Sequence, residues 1–508
     1  MSAAQKTSRQ VIVLIAGAAL FVGIIALLRP DPMIVGGESV ALSTAGRTCI
    51  ALLAVAILLW ITEALPFHVT ALVVMLAMPL LGVTDGVAVL KGGTVVNIGG
   101  IAAGYKEIVR MSFGNDLILF FLGVFLLSAA FSETSLGQRL TLGMLRIIGT
   151  NTRRVILGFL VMGTLLSMWV SDVGVAAIML PIGVGILKQA GRTPLKSNFG
   201  KALMIACCWG PIFGGIATPA GCGPNPIAIA YMREFAGMDI SFVDWMLIGV
   251  PTSLMLIPFG WAVLVLLFPP EITALPLTSQ DIEAQLRSLG RPDRREKAAV
   301  VVFITVIALW VGNPLLVRLT GGAVDLPISL VSIFGGLLLL MPPFRVLTWE
   351  QANRSTSWDS ILLIMASLGL GMMTWHTGAA RWMAVALLGD LAALGPVALI
   401  FVVVLVVILM KLFLASNTVT GIIIIPILIS LAQAFDLPAW ALVGPAAFTS
   451  SLGIILITQT PTNVIPYTSG YFSIRDFTKS GIIMSLVMIA LVATMIAVLG
   501  PVTGMYEY

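Results

Sequence analysis

Long apolar runs recur along the chain from Val11 to Val498, each close to the roughly 20 residues a helix needs to cross a hydrocarbon core of about 30 Å. They number on the order of a dozen, so a single anchor carrying a soluble catalytic domain is excluded. Composition agrees: 59% of residues are hydrophobic and 10% are charged, where a soluble domain carries about a quarter charged residues. The expected fold is an all-α polytopic membrane protein with about 11 transmembrane helices.

The first run, about Val11 to Leu28, follows Lys6 and Arg9 and ends in Leu-Leu-Arg-Pro without a small-residue cleavage pattern. It reads as a retained first helix with a cytoplasmic N-terminus, in a bacterial inner membrane. Basic residues in cytoplasmic loops account for the net charge of +5, so lipid and not nucleic acid is the expected surrounding partner. Cys49, Cys207, Cys208 and Cys222 lie in apolar or Gly/Pro-rich segments without metal-type spacing, and His68 and His376 are isolated. All six read as structural. Neither a nucleophile-base pair nor a metal cluster is visible near the membrane, so the chain does not read as an enzyme and implies no tightly bound cofactor.

One long polar stretch, Glu271 to Lys297, contains Arg287, Arg291, Arg294 and Arg295 and reads as a cytoplasmic linker between residues 1–270 and 298–508. Each half carries the same pattern. A polar tripeptide, Ser171-Asp172-Val173 or Ser416-Asn417-Thr418, interrupts one apolar run. Some fifty residues later a Gly/Pro/Thr/Asn cluster, about Gly214 to Tyr231 or Ile457 to Tyr471, interrupts another. From Ser171 to Ser416 is 245 positions and from Asn225 to Asn463 is 238, the mark of an internal repeat.

Charge sets its orientation. Arg153 and Arg154 precede the first interrupted run and Lys188, Arg192, Lys196 and Lys201 follow it, so both ends face the cytoplasm and the segment is a re-entrant hairpin. The second has Asp390 before it and Asp436 after it, which suits the opposite face. Inverted repeats of this kind place a site near the midplane and work by alternating access.

Non-helical backbone in hydrocarbon costs several kcal/mol per exposed amide and persists only where protein, water or ligand satisfies it. At a hairpin tip the second half-helix presents free N–H groups and a positive dipole end, and Ser, Asn or Thr there adds donors. Such a tip suits carboxylates and other oxyanions. Breaks such as Thr460-Pro461-Thr462-Asn463 are expected to leave carbonyls without helical partners, which suit sodium.

These residues resemble the divalent anion:sodium symporters, carriers of dicarboxylates, tricarboxylates or sulfate, over most of the chain. The resemblance rests on WITEALPFHVTALVVMLAMPLLGV from Trp60, the stretch from Phe121 through Arg153-Arg154 to Ser171, GGIATPAGCGPNPIAI, SNTVTGIIIIPI from Ser416, and TPTN from Thr460. It implies a homodimer in which a mobile part carries substrate by an elevator motion past a scaffold. It also implies that Asn417 and Thr418 contact the substrate, that Thr460 and Pro461 line the pocket, and that Asn463 closes it. Cys222, Pro224 and Asn225 would join Asp172 and Val173 on the other side. Ser171, Asp172 and the backbone of Gly221 match one sodium site; Ser416, Asn417 and the Gln459 carbonyl match a second.

The sequence departs from that pattern at one half-site. Ser171-Asp172-Val173 puts a carboxylate and an isopropyl group where the tip motif has an amide and a hydroxyl, and Cys222-Gly223 replaces Thr-Pro. A carboxylate beside a dianion would repel it by several kcal/mol at about 4 Å and intermediate dielectric. A sodium ion, a proton on Asp172 or a fixed cation would offset that charge. Lys411, the one basic residue of the second hairpin's apolar run, either snorkels or replaces part of a sodium site. The expected function is secondary transport of a small C4-type dicarboxylate, coupled to sodium, to protons or to anion exchange. Sulfate or a sulfonated anion is the alternative in the same fold, and an anion channel the alternative of another class.

Overall fold

A computed structural model describes residues 3–35, 38–91, 94–276 and 279–506. The chain opens with α1 (Ala3–Leu27), β1 (Met33–Val35), β2 (Glu38–Val40), α2 (Thr44–Thr62) and α3 (Phe67–Leu80). Next come β3 (Ala88–Lys91), β4 (Thr94–Asn97), α4 (Ile101–Phe113), α5 (Leu117–Ser132) and α6 (Leu136–Ile148). A second group follows: α7 (Thr152–Ser167), α8 (Asp172–Gln189), α9 (Asn198–Gly215), α10 (Pro224–Ala236) and α11 (Phe242–Leu267).

The polar stretch holds α12 (Ser279–Ser288) and the first turn of α13 (Arg294–Leu319); its Leu277 and Thr278 lie outside the described residues. Then come α14 (Ile328–Leu340), α15 (Trp349–Ser355), α16 (Trp358–His376) and α17 (Ala379–Leu388). The last group is α18 (Pro396–Lys411), α19 (Asn417–Ala434), α20 (Ala439–Ser451), α21 (Pro461–Tyr467) and α22 (Ile474–Val502).

Among the described residues nine helical stretches are long and apolar enough to cross a membrane, and Phe67–Leu80, Ile328–Leu340 and Val397–Lys411 are apolar but shorter. The nine include α8 and α19, and chain breaks divide two further apolar runs. Residues 198–236 become α9 and α10, and residues 439–467 become α20 and α21. The fold is also not purely helical. β1 pairs antiparallel with β2 and β3 with β4, in connections outside the apolar runs, where a ladder satisfies backbone that no helix uses.

Capping fixes where helices of the second and last groups begin. Ser241 and Asp244 form a capping box at α11, and Ser473 and Asp476 form one at α22. Asp476 also receives Lys201 Nζ from α9 at 3.1 Å, tying the two groups together. Glu271, after α11, accepts from the Ser197 hydroxyl and, at 2.9 Å, from the Phe199 amide at the start of α9. Burial works against its charge, but these bonds prevail and hold its carboxyl below the usual range.

Elsewhere small residues set the packing. A methyl group at Gly123 on α5 would strike the backbone of Ser332 and Ile333 on α14, and one at Gly336 would meet Leu126 at 2.7 Å. Gly123→Leu is therefore expected to separate these helices at a cost of at least about 1–3 kcal/mol. The check is size-exclusion and thermal melting of the purified protein: an unchanged melting midpoint would show that the pair can spread freely.

Candidate functional site

The second and last groups repeat one arrangement of helix and break. α7 ends at Ser167 and α8 starts at Asp172; α18 ends at Lys411 and α19 starts at Asn417. The tripeptides thus sit at the turns of two helical hairpins. Ser416 caps α19, its hydroxyl accepting from the Val419 amide at 3.3 Å. Ser171 makes no such bond; instead the Asp172 carboxylate takes the Val173 amide on Oδ1 at 2.9 Å.

The second pair of breaks is placed differently from the sequence expectation. Pro461 opens α21, and Thr462 and Asn463 lie inside it, so the break in the α-helix runs from Leu452 to Thr460 and holds one 3-10 turn, Ile457–Gln459. Pro224 likewise opens α10. At the first helical position proline's missing donor is not needed and its fixed φ suits the turn, so it starts a helix here and does not break one.

The asparagines behind these prolines hold the breaks shut. Asn225 donates to the carbonyls of Gly215 (2.7 Å) and Thr218 (2.8 Å). Asn463 donates to those of Gly453 (2.7 Å) and Leu456 (3.2 Å). In each case the acceptors precede the asparagine by ten and seven positions, the same solution found twice. Both side chains are fully buried; the Thr218 and Leu456 carbonyls also accept, each at 3.2 Å, from the amides of Gly221 and Gln459, so the asparagine is a second donor at those two.

The two arrangements cross over. α8 packs on α21 and α10 on α19. Asn417 Nδ2 lies 3.4 Å from Cys222 Sγ, and a methyl at Gly223 would collide with the Thr418 hydroxyl. Between the tips is a cavity of about 380 Å³. It is lined by Ser171, Asp172, Val173, Gly221, Cys222 and Gly223 on one side, and by Ser416, Asn417, Thr418, Thr460 and Pro461 on the other. Of the residues expected at the site, Pro224, Asn225, Gln459, Asn463 and Lys411 are not in this lining; they stand behind it.

Lys411 is 2% exposed. Its ammonium donates to the Asn417 side-chain oxygen and, at 3.4 Å, to the Gln459 carbonyl. It therefore does not snorkel. Gln459 is itself fixed, donating to the Lys411 carbonyl at 2.9 Å and accepting from the amides of Ile455 (2.8 Å) and Leu456 (3.0 Å). Asp172 is 6% exposed, and its Oδ2 makes no close hydrogen bond, the Thr462 hydroxyl of α21 being its neighbouring side-chain donor. Among the described residues no ion pair joins it to Lys411.

The two places matched to sodium now differ. Ser171, Gly221 and the orphaned Asp172 oxygen offer hard oxygens that fit a small cation. At Asn417 and Gln459 a fixed ammonium already takes the oxygens a cation would use.

Sequence reasoning missed the facing wall, which comes from Phe67 and His68 of α3, Phe120, Phe121 and Phe125 of α5, and Asp359, Leu363 and Ile364 of α16. The resemblance covered part of it, in the WITEALPFHV stretch and in the stretch that begins at Phe121, without assigning those residues to the site. At the mouth His68 Nδ1 lies 3.5 Å from the exposed Asp359. This mouth is at the linker's end of the molecule: Arg295 of α13 donates to Gln351 of α15 at 3.0 Å, and Arg354 pairs with Glu133 at 3.1 Å. At the opposite end of α5, Asp116 pairs with Arg233 of α10 (2.9 Å) and accepts from Ser329 (2.9 Å). There Phe242 stacks on Trp310 with ring centroids 4.5 Å apart, and Trp169 of the first tip stacks on Phe242 at 6.2 Å.

Comparison with known proteins is consistent with this geometry. Residues 11–506 match the family model described as sodium:sulfate symporter transmembrane region. A Staphylococcus saprophyticus protein named sodium-dependent dicarboxylate transporter SdcS is 30% identical over 510 residues, which cover 97% of this chain and 92% of that protein. Its Staphylococcus aureus namesake is 29% identical over 465 residues, covering 87% and 84%. In fold, the chain is similar to the crystal structure of the Alcanivorax borkumensis YdaH transporter, with a TM-score of 0.55, 14% identity, and coverage of 87% of this chain and 98% of that one. Neisseria gonorrhoeae MtrF gives 0.53, 13%, 84% and 94%.

Proposed function

The chain belongs to the sodium:sulfate symporter family, and from that premise we propose that it carries small divalent organic anions of the C4-dicarboxylate type, with Lys411 standing in for one of the sodium ions. It is a multi-pass membrane protein and a secondary transporter, not an enzyme. The observation that carries the proposal is the contact of the Lys411 ammonium with Asn417 and the Gln459 carbonyl, directly behind a cavity lined by Asn417, Thr418 and Thr460.

The amides that open α19, with the side chains of Asn417 and Thr418, are the donors for one carboxylate. The facing aromatic wall offers it no competing hydration. Hydrocarbon penalises net charge, so the loaded site must be near neutral to cross. Asp172 and Lys411 cancel, which leaves a dianion needing two further positive charges. The oxygens of Ser171, Asp172 and Gly221 would hold one sodium. A proton on Asp172 supplies the remainder; exchange for a second anion would instead balance charge over the whole cycle and leave the loaded site with one negative charge.

With a cytoplasmic linker, the cavity mouth at His68 and Asp359 opens to the cytoplasm. The second and last groups of helices are the mobile body of an elevator built from inverted repeats with two re-entrant hairpins, in a bacterial inner membrane. The Asp116–Arg233 pair and the Phe242–Trp310 stack then part when the site faces the other way.

The test is uptake of labelled succinate into proteoliposomes with an inward sodium gradient, an inward proton gradient, or unlabelled succinate preloaded inside. Sodium stimulation with a first-order dependence on sodium concentration is expected. Cooperative sodium dependence would show that Lys411 replaces no ion, and absence of succinate uptake in every condition would overturn the C4 reading.

A further inference from the structure

We infer that the preferred substrate carries its own positive charge: a C4-dicarboxylate with an ammonium group on the carbon beside one carboxylate, that ammonium being received by Asp172. The inference rests on the dicarboxylate reading above and narrows it.

The two sides of the cavity are chemically opposed. On the Asn417 side the polar side chains are an amide and the hydroxyls of Thr418 and Thr460, with the N-terminus of a helix of 18 residues behind them. These are donors, suited to carboxylate oxygens. On the Asp172 side the side chains are a carboxylate, an isopropyl group at Val173 and a thiol at Cys222, with the Ser171 hydroxyl beside them. The strong group there is an acceptor. Asp172 is nine-tenths buried and lines the cavity, and its Oδ2 makes no close hydrogen bond, the Thr462 hydroxyl being the neighbouring side-chain donor. Lys411 does not reach it, being committed to Asn417 and the Gln459 carbonyl.

An orphaned buried carboxylate oxygen in a binding cavity demands a donor, preferably a charged one. An unsubstituted dicarboxylate brings only more negative charge. A substrate ammonium supplies up to three N–H donors and lowers the substrate's net charge to −1, so that a single co-transported sodium, held by the Ser171 and Gly221 oxygens while the ammonium takes the Asp172 oxygen, completes neutrality. Both chemical asymmetry and charge balance are then met by one substituent.

The experiment is equilibrium competition against labelled succinate by the full-length purified protein, using L-aspartate, N-acetyl-L-aspartate and succinate as competitors. L-Aspartate should bind about ten- to a hundredfold more tightly than succinate, the range that a hydrogen bond to a charged group commands. N-Acetyl-L-aspartate, which keeps both carboxylates but has no ammonium, should lose that advantage. Asp172→Asn should collapse the aspartate-to-succinate ratio, and Asp172→Glu, which keeps the charge, should retain most of it. Succinate binding as tightly as L-aspartate would overturn the inference while leaving the dicarboxylate reading intact. An Asp172→Asn variant that weakens both ligands equally would do the same. Binding of none of these compounds would overturn both.

Discussion

Replacing Lys411 by Met lowers succinate transport at low sodium by about ten- to a hundredfold, and raised sodium recovers part of the loss with a cooperative dependence. The size follows from what the ammonium satisfies. Without it the Asn417 side-chain oxygen and the Gln459 carbonyl lose a buried donor, at about 1–3 kcal/mol for each group left unsatisfied. Only the part of that cost felt at the substrate appears in the rate, and 1.4 kcal/mol is about tenfold. Asp172 is meanwhile left as the uncompensated fixed charge of the site. Sodium can re-enter the vacated oxygens, which is why recovery should be cooperative. The measurement is initial uptake rate against sodium concentration in proteoliposomes. A variant with wild-type rates and first-order sodium dependence would mean that Lys411 is only a structural anchor.

Asn225→Ala and Asn463→Ala should each lower the thermal midpoint of the purified protein more than any single change in the cavity lining. Each deletes two hydrogen bonds to carbonyls at a break, of which those of Thr218 and Leu456 keep a backbone donor in the amides of Gly221 and Gln459 while those of Gly215 and Gly453 lose the asparagine's. The expected cost is about 2–4 kcal/mol per variant, with substrate binding lost as the tips drift apart. Asn→Asp at either position should be no better, because a carboxylate has no N–H to give. Melting followed by intrinsic tryptophan fluorescence is a suitable readout. If Asn463→Asp matched the wild type, the donor role assigned to the amide would be wrong.

Much of this was legible in the sequence because breaks in hydrocarbon are costly and so stand out. Ser171 and Ser416 flank helix starts as their composition implied, and the 245- and 238-residue spacings mark equivalent positions. Lys411 was visible as a lone cation in an apolar run. What it touches was not, because its partner Gln459 lies 48 positions away. The cluster containing Pro461 was read as a break when it is a helix start, since proline alone does not say on which side of it the helix lies. Asn225 and Asn463 were taken for pocket residues; polar side chains beside a break serve the ligand or the break itself, and only geometry separates the two. The aromatic wall from α5 was hidden because phenylalanines facing a cavity look in sequence like any others facing lipid.

The crossing of the two arrangements bears on how the protein is made. The first tip is complete once residue 189 has been synthesised, but the segment that lies against it, α21, ends at Tyr467. The nascent chain must therefore hold a polar, half-built hairpin in the bilayer through most of translation, its Asp172 unmatched, until the second tip and second break arrive. Biosynthesis of a working carrier is then a late event: truncation before α21 spares both tips but removes Pro461 from the cavity lining and the segment that packs on α8, and insertion machinery or lipid must shelter the early hairpin in the interval.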